Sequence, residues 1–296
     1  MKNNVILTGA GGFLGREIIR QCVKRRDINI IAITSNPLRL EEYIFENRIK
    51  FINPNNYETA FAYKGSILVN CAFPRANDED MAAGLEYIKN IFECAAKNKI
   101  AGVINISSQS VYSQNRVKAA ENNEKVVLES KYAVGKYSIE LLLSVMFNTI
   151  PHTNLRMASL IGPGFDERLI NKLINKIINN EDIVVSGLNQ RFEFMDVRDA
   201  ALGIIAMLSA DYSKWEDHFN FGIGHSYTLD ELMDLCIKEA ESRKIAYHVR
   251  REESEAFHNN SMNSEHFMKT FNWCPQYSIE KSIKDIFDNI SQRTII

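Results

Sequence analysis

A glycine-rich loop near the N-terminus limits the possible folds more than any other feature of the sequence. The segment VILTGAGGFLGREII places Gly9, Gly12 and Gly15 between a short apolar run and a stretch with helical periodicity. Glycines at this spacing allow a tight turn from strand to helix, and they let a pyrophosphate approach the backbone N–H groups at the helix N-terminus. The pattern therefore predicts a dinucleotide site built from these glycines with Phe13 and Leu14. A glycine-rich turn that binds nothing is the alternative, and the strand–loop–helix order argues against it.

The rest of the first half alternates short apolar runs with amphipathic stretches. Strands are predicted over 5–8, 28–34, 67–70, 103–107 and 155–160, and helices over 13–24, 80–98 and 130–149. The predicted strands are largely apolar, as they must be in a parallel sheet that is covered on both faces. Alternation of this kind predicts an α/β protein with a Rossmann-type, doubly wound parallel sheet.

The pattern loosens after residue 160, although no flexible linker interrupts the chain. Helices are predicted over 166–180, 199–208 and 228–240, with short strands near 183–185, 190–195 and 218–221. We therefore expect a dinucleotide-binding domain at 1–160 and a smaller C-terminal substrate-binding lobe at 161–296. Part of the second region, about 190–225, is expected to pack back on the first domain.

Composition and charge exclude several kinds of partner. The 296 residues carry a formal net charge of −2 and 45% of them are hydrophobic, so the chain lacks the basic surface expected of a nucleic-acid-binding protein. No apolar run is long enough to span a membrane or to act as a signal peptide. The 5 cysteines and 6 histidines show no metal-ligand spacing, which favours reduced thiols, a cytoplasmic location and no bound metal.

The end of the second predicted strand bears on the choice of cofactor. A carboxylate usually stands there in proteins whose cofactor has no 2′-phosphate. Here the chain reads ITSNPLR, so Thr34, Ser35 and Arg39 occupy the region and no acidic residue does. Hydroxyl and guanidinium groups suit a phosphate. We therefore favour NADP over NAD, with an ordinary exposed charge at Arg39 as the alternative.

Ser108, Tyr132 and Lys136 together predict proton-transfer chemistry. Ser108 follows a predicted central strand, and the tyrosine and lysine are spaced at i and i+4 on a helix, so they share a face. A phenol has a pKa of about 10, and lowering it by about three units requires about 4 kcal/mol. A lysine ammonium about 4 Å away supplies about that much at an effective dielectric constant near 20. Each feature alone is common on protein surfaces, but their combination behind a dinucleotide loop predicts an acid/base pair assisted by a serine hydroxyl.

On these motifs the sequence resembles the extended short-chain dehydrogenases/reductases, the NAD(P)-dependent epimerase/dehydratase group, over nearly its whole length. TGAGGFLG is similar to the family's cofactor loop, SSQSVY to its catalytic serine segment, and YAVGK to its YxxxK motif. The resemblance implies that Tyr132 is the acid/base and that Lys136 also anchors the nicotinamide ribose. It implies that Ser108 bonds the substrate oxygen.

Further segments carry the resemblance. VNCAFP is similar to the strand end beside the cofactor, which implies cofactor contacts from Asn70, Cys71 and Ala72. QRFEFMDVRDAA is similar to the segment in which an arginine contacts the nucleotide diphosphate, which implies Arg191. LRMASLIGPG places Ser159 where the family often has a substrate-binding asparagine, and FNWCPQYSIEKSI is similar to the family's C-terminal ending.

The resemblance implies a nucleotide-linked sugar as substrate and either 4-keto reduction or 4-epimerisation as the reaction, and use of NADPH favours net reduction. Gln109 and Ser110 stand where the 4,6-dehydratases of the family carry an Asp-Glu pair, which argues against that dehydration. Ser159, and the segment MAAG where an asparagine is common, leave open a reductase of a small non-nucleotide ketone or aldehyde. A non-catalytic NADP(H)-binding regulator is a further alternative. A homodimer is expected from the family alone.

Overall fold

The structure, a computed structural model, describes residues 3–74 and 78–294. Its first half alternates strands and helices, and the short connections include 3-10 turns at Pro37–Tyr43, Pro54–Ala62 and Gln109–Val111. The elements are β1 (Asn3–Thr8), α1 (Phe13–Val23), β2 (Ile28–Ile33), β3 (Ile49–Ile52), β4 (Ile67–Asn70), α2 (Asp78–Lys97), β5 (Gly102–Ile106), α3 (Lys131–Met146) and β6 (His152–Met157).

The second half has shorter strands. Its elements are β7 (Ser159–Ile161), α4 (Leu169–Ile178), β8 (Asp182–Ser186), β9 (Arg191–Phe192), β10 (Phe194–Asp196), α5 (Val197–Leu208), β11 (His218–Phe221), β12 (Tyr227–Thr228), α6 (Leu229–Ser242), β13 (His248–Glu252), α7 (Glu265–Phe271) and α8 (Ile279–Thr294).

One parallel sheet of seven strands, in the order β11-β6-β5-β4-β1-β2-β3, forms the centre of the molecule. The chain starts in the middle, runs outward to β3, then crosses over to β4 and continues the other way. This is the doubly wound, Rossmann-type α/β topology, so the predicted fold class is confirmed. The carboxyl ends of β1 and β4 lie beside each other at the point where the strand order reverses, which is where such sheets bind ligands.

The two faces of the sheet are covered by different helices. Val5 and Leu7 belong to the same buried cluster as Ile18 of α1 and Ile204 of α5. Ile6, between them on β1, belongs instead to a cluster formed with α2 and α3. Because side chains alternate along a strand, an apolar strand can fill both cores at once.

The chain after residue 160 contributes to both the central sheet and a separate layer. Helix α5 packs on α1, and β11 pairs with β6 at the edge of the main sheet. A further buried cluster joins α4, α6, α8 and β8. Within residues 3–74 and 78–294, three small strand pairs lie outside the main sheet: β7–β10, β9–β12 and β8–β13. The division of the chain at 160 and 161 stays a prediction.

Several elements differ from the expectation. The predicted strand 155–160 is two strands, because the chain leaves the main sheet after β6 and β7 pairs with β10. The predicted strand 190–195 is also two strands, β9 and β10, and β3, β12, β13, α7 and α8 were not predicted. In the described part of the chain, no helix combines the length and apolar character that crossing a membrane requires.

Candidate active site

A cavity of about 880 Å³ opens at the carboxyl ends of the central strands. It extends from the first turn of α1 to the first turn of α3, and the segment 164–168 borders it from the C-terminal half. The cavity therefore brings the predicted cofactor loop and the predicted acid/base pair to one place. The predicted site residues in its wall are Phe13, Leu14, Arg39, Cys71, Tyr132 and Lys136. The predicted residues outside its lining are Gly9, Gly12, Gly15, Thr34, Ser35, Asn70, Ala72, Ser108, Ser159 and Arg191.

Close packing of the glycine loop explains why two of its positions, Gly9 and Gly15, require glycine. Gly9 has φ +63°, and a Cβ there would lie 2.8 Å from the carbonyl carbon of Cys71. A Cβ on Gly15 would collide with the carbonyl oxygen of Gly9 and would lie 2.8 Å from the Cα of Ala10. These positions admit only glycine, which holds the start of α1 against the end of β4.

The N-terminus of α1 is open to an anionic group. Gly12 is its N-cap and is exposed, no side chain caps the helix, and its first turn contains no acidic residue. The first backbone N–H groups of a helix have no intrahelical partner and carry partial positive charge. This end of the cavity therefore fits the pyrophosphate of a dinucleotide.

A row of buried polar side chains, one threonine and three asparagines, crosses the sheet below the cavity. Thr8, Asn70, Asn105 and Asn154 occupy aligned positions on β1, β4, β5 and β6. The Thr8 hydroxyl donates to Asn70 at 2.6 Å, Asn70 donates to Asn105 at 2.9 Å, and Asn105 donates to Asn154 at 2.8 Å. The Asn70 side chain is thus engaged inside the sheet. The Thr8 hydroxyl also accepts the backbone N–H of Ala72 at 3.2 Å, which fixes the chain beside the cavity.

Tyr132 and Lys136 have contrasting surroundings on α3. Ser130 caps the helix, so Tyr132 lies in its first turn, where its side chain is 42% exposed. Lys136 is buried, and its Nζ donates to the carbonyl oxygen of Ile106 at 2.8 Å. The Nζ lies 4.2 Å from the ring centroid of Phe73 and 5.9 Å from that of Tyr132. The lysine is therefore fixed at the end of β5, whereas the tyrosine is accessible from the cavity.

The electrostatics of this wall depend on burial. Burial lowers the pKa of Lys136, and the negative charges that Tyr132, Cys71 and Glu140 can carry raise it. Burial raises the pKa of the Cys71 thiol to about 12, against a smaller opposite effect of Lys136. The Cys71 thiol is therefore in its neutral form at physiological pH.

Ser107 and Ser108 take different roles at the end of β5. Ser108 caps the turn Gln109–Val111, where its Oγ accepts the N–H of Ser110 at 3.1 Å and donates to the Ser110 hydroxyl at 3.1 Å. Ser107 lines the cavity, and its hydroxyl donates to the carboxylate of Glu140. Ser108 thus lies beside the wall without forming part of it.

A buried polar network behind α3 was missed from the sequence. Arg156 on β6 pairs with Glu140 on α3 at 2.8 Å, and both side chains are almost fully buried. Arg156 also donates to the hydroxyl of Tyr112 at 2.9 Å, and that hydroxyl donates to Asn220 at 2.8 Å. The one sequence signal was the position of Glu140, one helical turn beyond Lys136. The network ties α3 to the sheet.

Ser159 and Arg191 are outside the lining of the cavity that contains the acid/base pair. Ser159 is in β7 and pairs with Phe194 of β10. The Arg191 guanidinium donates to the hydroxyl of Ser226 at 3.0 Å and to its carbonyl oxygen at 2.7 Å. Neither side chain lines the cavity. The substrate contacts implied for them stay predictions.

Arg16 and Phe165 are among the cavity-lining residues that were not predicted. Arg16 follows Gly15 directly and shares a helix face with Phe13. Phe165, in the segment between β7 and α4, packs on Phe13 with ring centroids 4.5 Å apart. Phe165 covers the start of α1 from the side of the C-terminal half, and Arg16 lines the cavity from α1 itself.

Comparison with known proteins agrees with this architecture. The NAD dependent epimerase/dehydratase family model matches residues 5–222. The dTDP-4-dehydro-6-deoxyglucose reductase of Escherichia coli is 23% identical over 263 residues, which cover 79% of this chain and 80% of the relative. The GDP-L-colitose synthase of Yersinia pseudotuberculosis is 26% identical over 255 residues, which cover 79% and 81%. The crystal structure of the UDP-glucuronic acid 4-epimerase of Bacillus cereus with UDP-glucuronic acid and NAD has the same fold, with a TM-score of 0.86 at 17% identity over 98% of this chain and 99% of the other.

Proposed function

The chain belongs to the NAD dependent epimerase/dehydratase family, and from this premise we propose that it reduces the 4-keto group of a nucleotide-linked sugar with NADPH. The observation that carries the proposal is the position of Tyr132 and Lys136 in the wall of the cavity that also contains the start of α1. An accessible phenol beside a buried ammonium is suited to proton transfer. 4-Epimerisation would use the same residues, but an epimerase regenerates its own cofactor and has no need of NADPH.

The proposed chemistry divides the reduction between cofactor and protein. When bound, the dihydronicotinamide supplies the hydride that the carbonyl carbon accepts. Tyr132 donates its proton to the carbonyl oxygen, which completes the alcohol. Lys136 keeps its place through the carbonyl oxygen of Ile106, with its Nζ 5.9 Å from the ring centroid of Tyr132. Ser108 would turn its hydroxyl from Ser110 to the substrate oxygen and stabilise the charge that develops there.

The proposed preference for NADPH rests on the end of β2. Thr34, Ser35 and Arg39 follow this strand, and Arg39 lines the cavity. The Thr34 hydroxyl accepts the N–H of Asn36 at 3.2 Å, and this residue is buried, so Ser35 and Arg39 are the groups more accessible to a phosphate. Ser35 and Arg39 are both exposed.

A second candidate function is reduction of a small ketone or aldehyde without a nucleotide. The position of Arg191 favours it, because this arginine bonds to Ser226 and does not line the cavity. The third possibility, a non-catalytic NADP(H)-binding regulator, has no use for an exposed Tyr132 beside a buried lysine.

We also propose that the chain forms a homodimer through the outer face of α3. Val134, Leu141 and Val145 are 48%, 52% and 76% exposed on this helix. Their spacing places them along one side of it. Exposed apolar side chains grouped in this way are typical of an interface.

The test compares wild type with Tyr132→Phe and with Tyr137→Phe, a control on the same helix that does not line the cavity. Oxidation of NADPH is followed with dTDP-4-dehydro-6-deoxyglucose and with a panel of small ketones, and NADPH binding is titrated separately. We expect Tyr132→Phe to lose at least about a hundredfold in turnover, with cofactor affinity unchanged, because it lacks only the acid/base hydroxyl. Tyr137→Phe should resemble wild type.

The outcomes separate the three candidates. Near-normal turnover by Tyr132→Phe contradicts its role as the acid/base. Turnover of small ketones alone favours the second candidate, and tight NADPH binding without turnover of any carbonyl favours a regulator. NAD that co-purifies with the protein would favour an epimerase.

A further inference from the structure

The ring of Phe73 contacts both members of the proposed acid/base pair. The Lys136 Nζ lies over this ring, 4.2 Å from its centroid, and the ring of Tyr132 packs against it at 75° with the two centroids 5.0 Å apart. The same Nζ is 5.9 Å from the Tyr132 centroid, so the ammonium is closer to the phenylalanine ring than to the tyrosine ring. All three side chains line the cavity. Phe73 therefore belongs to the wall where proton transfer is proposed, although it has no titratable group.

Two glycines within helices make room for the segment that carries Phe73. A Cβ on Gly135 of α3 would lie 3.1 Å from the Cζ of Phe73 and 2.8 Å from the Sδ of Met81. A Cβ on Gly84 of α2 would lie 2.4 Å from the Cβ of Pro74. Glycine inside a helix lowers its stability, because the unfolded chain has more backbone freedom at that position. Here both glycines allow the segment to pack closely, which holds the Phe73 ring against the turn of α3 that carries the acid/base pair.

Lys136 is buried, and a buried ammonium requires partners that replace its water. An ammonium has three donors, and this one donates to the carbonyl oxygen of Ile106 at 2.8 Å. The face of an aromatic ring is partially negative and attracts a cation within about 6 Å, more strongly where water is excluded. The ring of Phe73 therefore gives the ammonium a second partner, which stabilises its charged form.

The titratable groups that act on Lys136 are on α3 and at the end of β4. Tyr132, Cys71 and Glu140 raise the pKa of this lysine when they are ionised, whereas burial lowers it. Tyr132 carries its proton until it donates it, and the Cys71 thiol is neutral because burial raises its pKa to about 12. Glu140 is paired with Arg156 at 2.8 Å. Before the reaction these groups offer the ammonium no free negative charge, whereas the aromatic ring attracts it without being charged.

We propose that Phe73 is a positioning residue for the acid/base pair, which holds the Lys136 ammonium over its face and supports the ring of Tyr132 beside it. This inference rests on the roles proposed above for the tyrosine and the lysine. The ring keeps the ammonium charged and fixes its place relative to the phenol. A leucine at position 73 would fill part of the same space but would lack the negative face that attracts the cation.

The experiment compares wild type with Phe73→Leu, with the ring-retaining Phe73→Tyr and with Phe92→Leu. Phe92 is the matched control, because it packs on Phe147 at 85° with centroids 5.6 Å apart and does not line the cavity. Lysines labelled with carbon-13 at Cε are observed by NMR, and the Lys136 signal is assigned by its absence from Lys136→Met. Protons over the face of an aromatic ring are shifted upfield, and titration of the same signal gives the pKa of this lysine.

We expect an upfield Lys136 signal in wild type, Phe73→Tyr and Phe92→Leu, and its return to an ordinary position in Phe73→Leu. The pKa of Lys136 should fall by about 0.5–1.5 pH units in Phe73→Leu, because the charged form loses its aromatic partner. The high-pH limb of kcat/KM for reduction of dTDP-4-dehydro-6-deoxyglucose by NADPH should move to lower pH in this variant. Phe73→Tyr and Phe92→Leu should keep the wild-type profile.

The outcomes separate this inference from the proposed function. A wild-type Lys136 signal without an upfield shift, or a pKa that Phe73→Leu leaves unchanged, overturns the inference whatever the activity. Equal changes in Phe73→Leu and Phe92→Leu would be a general effect of looser packing and would also overturn it. A shifted lysine pKa with an unchanged pH profile shows that the ring does not act on the proton transfer. A protein with the expected NMR signals that reduces no carbonyl contradicts the proposed function, and the positioning role falls with it.

Discussion

Replacing Glu140 by glutamine should destabilise the protein strongly, although the substitution changes neither size nor shape. Glu140 accepts from the Nη2 of Arg156 at 2.8 Å and from its Nε at 3.2 Å, and it also accepts the hydroxyl of Ser107. The side chains of Glu140 and Arg156 are 5% and 6% exposed. In Glu140→Gln the guanidinium stays buried without its counter-charge. Breaking a buried pair in this way costs about 3–5 kcal/mol.

A loss of this size is large for a folded protein, whose whole stability is about 5–15 kcal/mol. At an unfolding entropy of about 2.1 cal/mol/K per residue, a loss of about 3 kcal/mol lowers the melting temperature of a chain of this length by about 5 °C. Urea unfolding of wild type, Glu140→Gln, Arg156→Gln and the double variant gives the coupling free energy of the pair. Glu86→Gln is the control, because Glu86 is exposed on α2 and forms no ion pair with the residues that the structure describes.

The double variant shows whether Glu140 and Arg156 stabilise the protein as a pair. It should cost clearly less than the sum of the two single variants, because no charge remains buried in it. A loss below about 1 kcal/mol for Glu140→Gln, or single losses that add to the double loss within about 0.5 kcal/mol, would refute the reasoning.

The remaining predictions concern a buried carboxyl and the outer face of α3. Burial raises the pKa of Glu193 to about 7, despite backbone N–H bonds that lower it. Because this folded-state pKa lies above the unfolded value of about 4.3, its contribution to stability is complete below about pH 4 and is lost as the pH rises through 7. Urea unfolding between pH 5 and 8 should show a steeper decline for wild type than for Glu193→Gln, and parallel curves would contradict this. Leu141→Asp should convert the proposed dimer into a monomer in light scattering, whereas Leu38→Asp, at a leucine that is 72% exposed outside α3, should not; a dimer that survives Leu141→Asp excludes this face.

Local sequence patterns were sufficient to predict the strands and the helix that form the cofactor end of the site. The strand Ile67–Asn70 was predicted with its exact residues, and the α1 prediction differs by one residue at its end. Here the apolar run, the glycines and the following helix are contiguous, so neighbouring residues carry all the information. The missed helix α8 also had a readable signal, because Ile279, Ile283 and Ile286 repeat at helical spacing.

Elements defined by distant partners could not be predicted in the same way. β7 has three residues and pairs with β10, so nothing local separates it from the strand before it. The pairing of Glu140 with Arg156 depends on the position of α3 against β6. The segment that contains Arg191 was recognised, but its side chain faces Ser226 because of contacts that no spacing encodes.

The row of polar side chains from Thr8 to Asn154 also bears on how the chain folds. Each member sits opposite the next in the strand alignment, so the row is complete only when four strands are assembled in the correct relative shift. A shift of one residue between two strands would turn the polar side chain toward the opposite core, where it would be buried without a hydrogen-bond partner. Neighbouring isoleucines and valines could tolerate such a shift, since one aliphatic side chain replaces another. The row therefore makes misaligned sheets costly, because each misplaced amide would be buried without a hydrogen-bond partner.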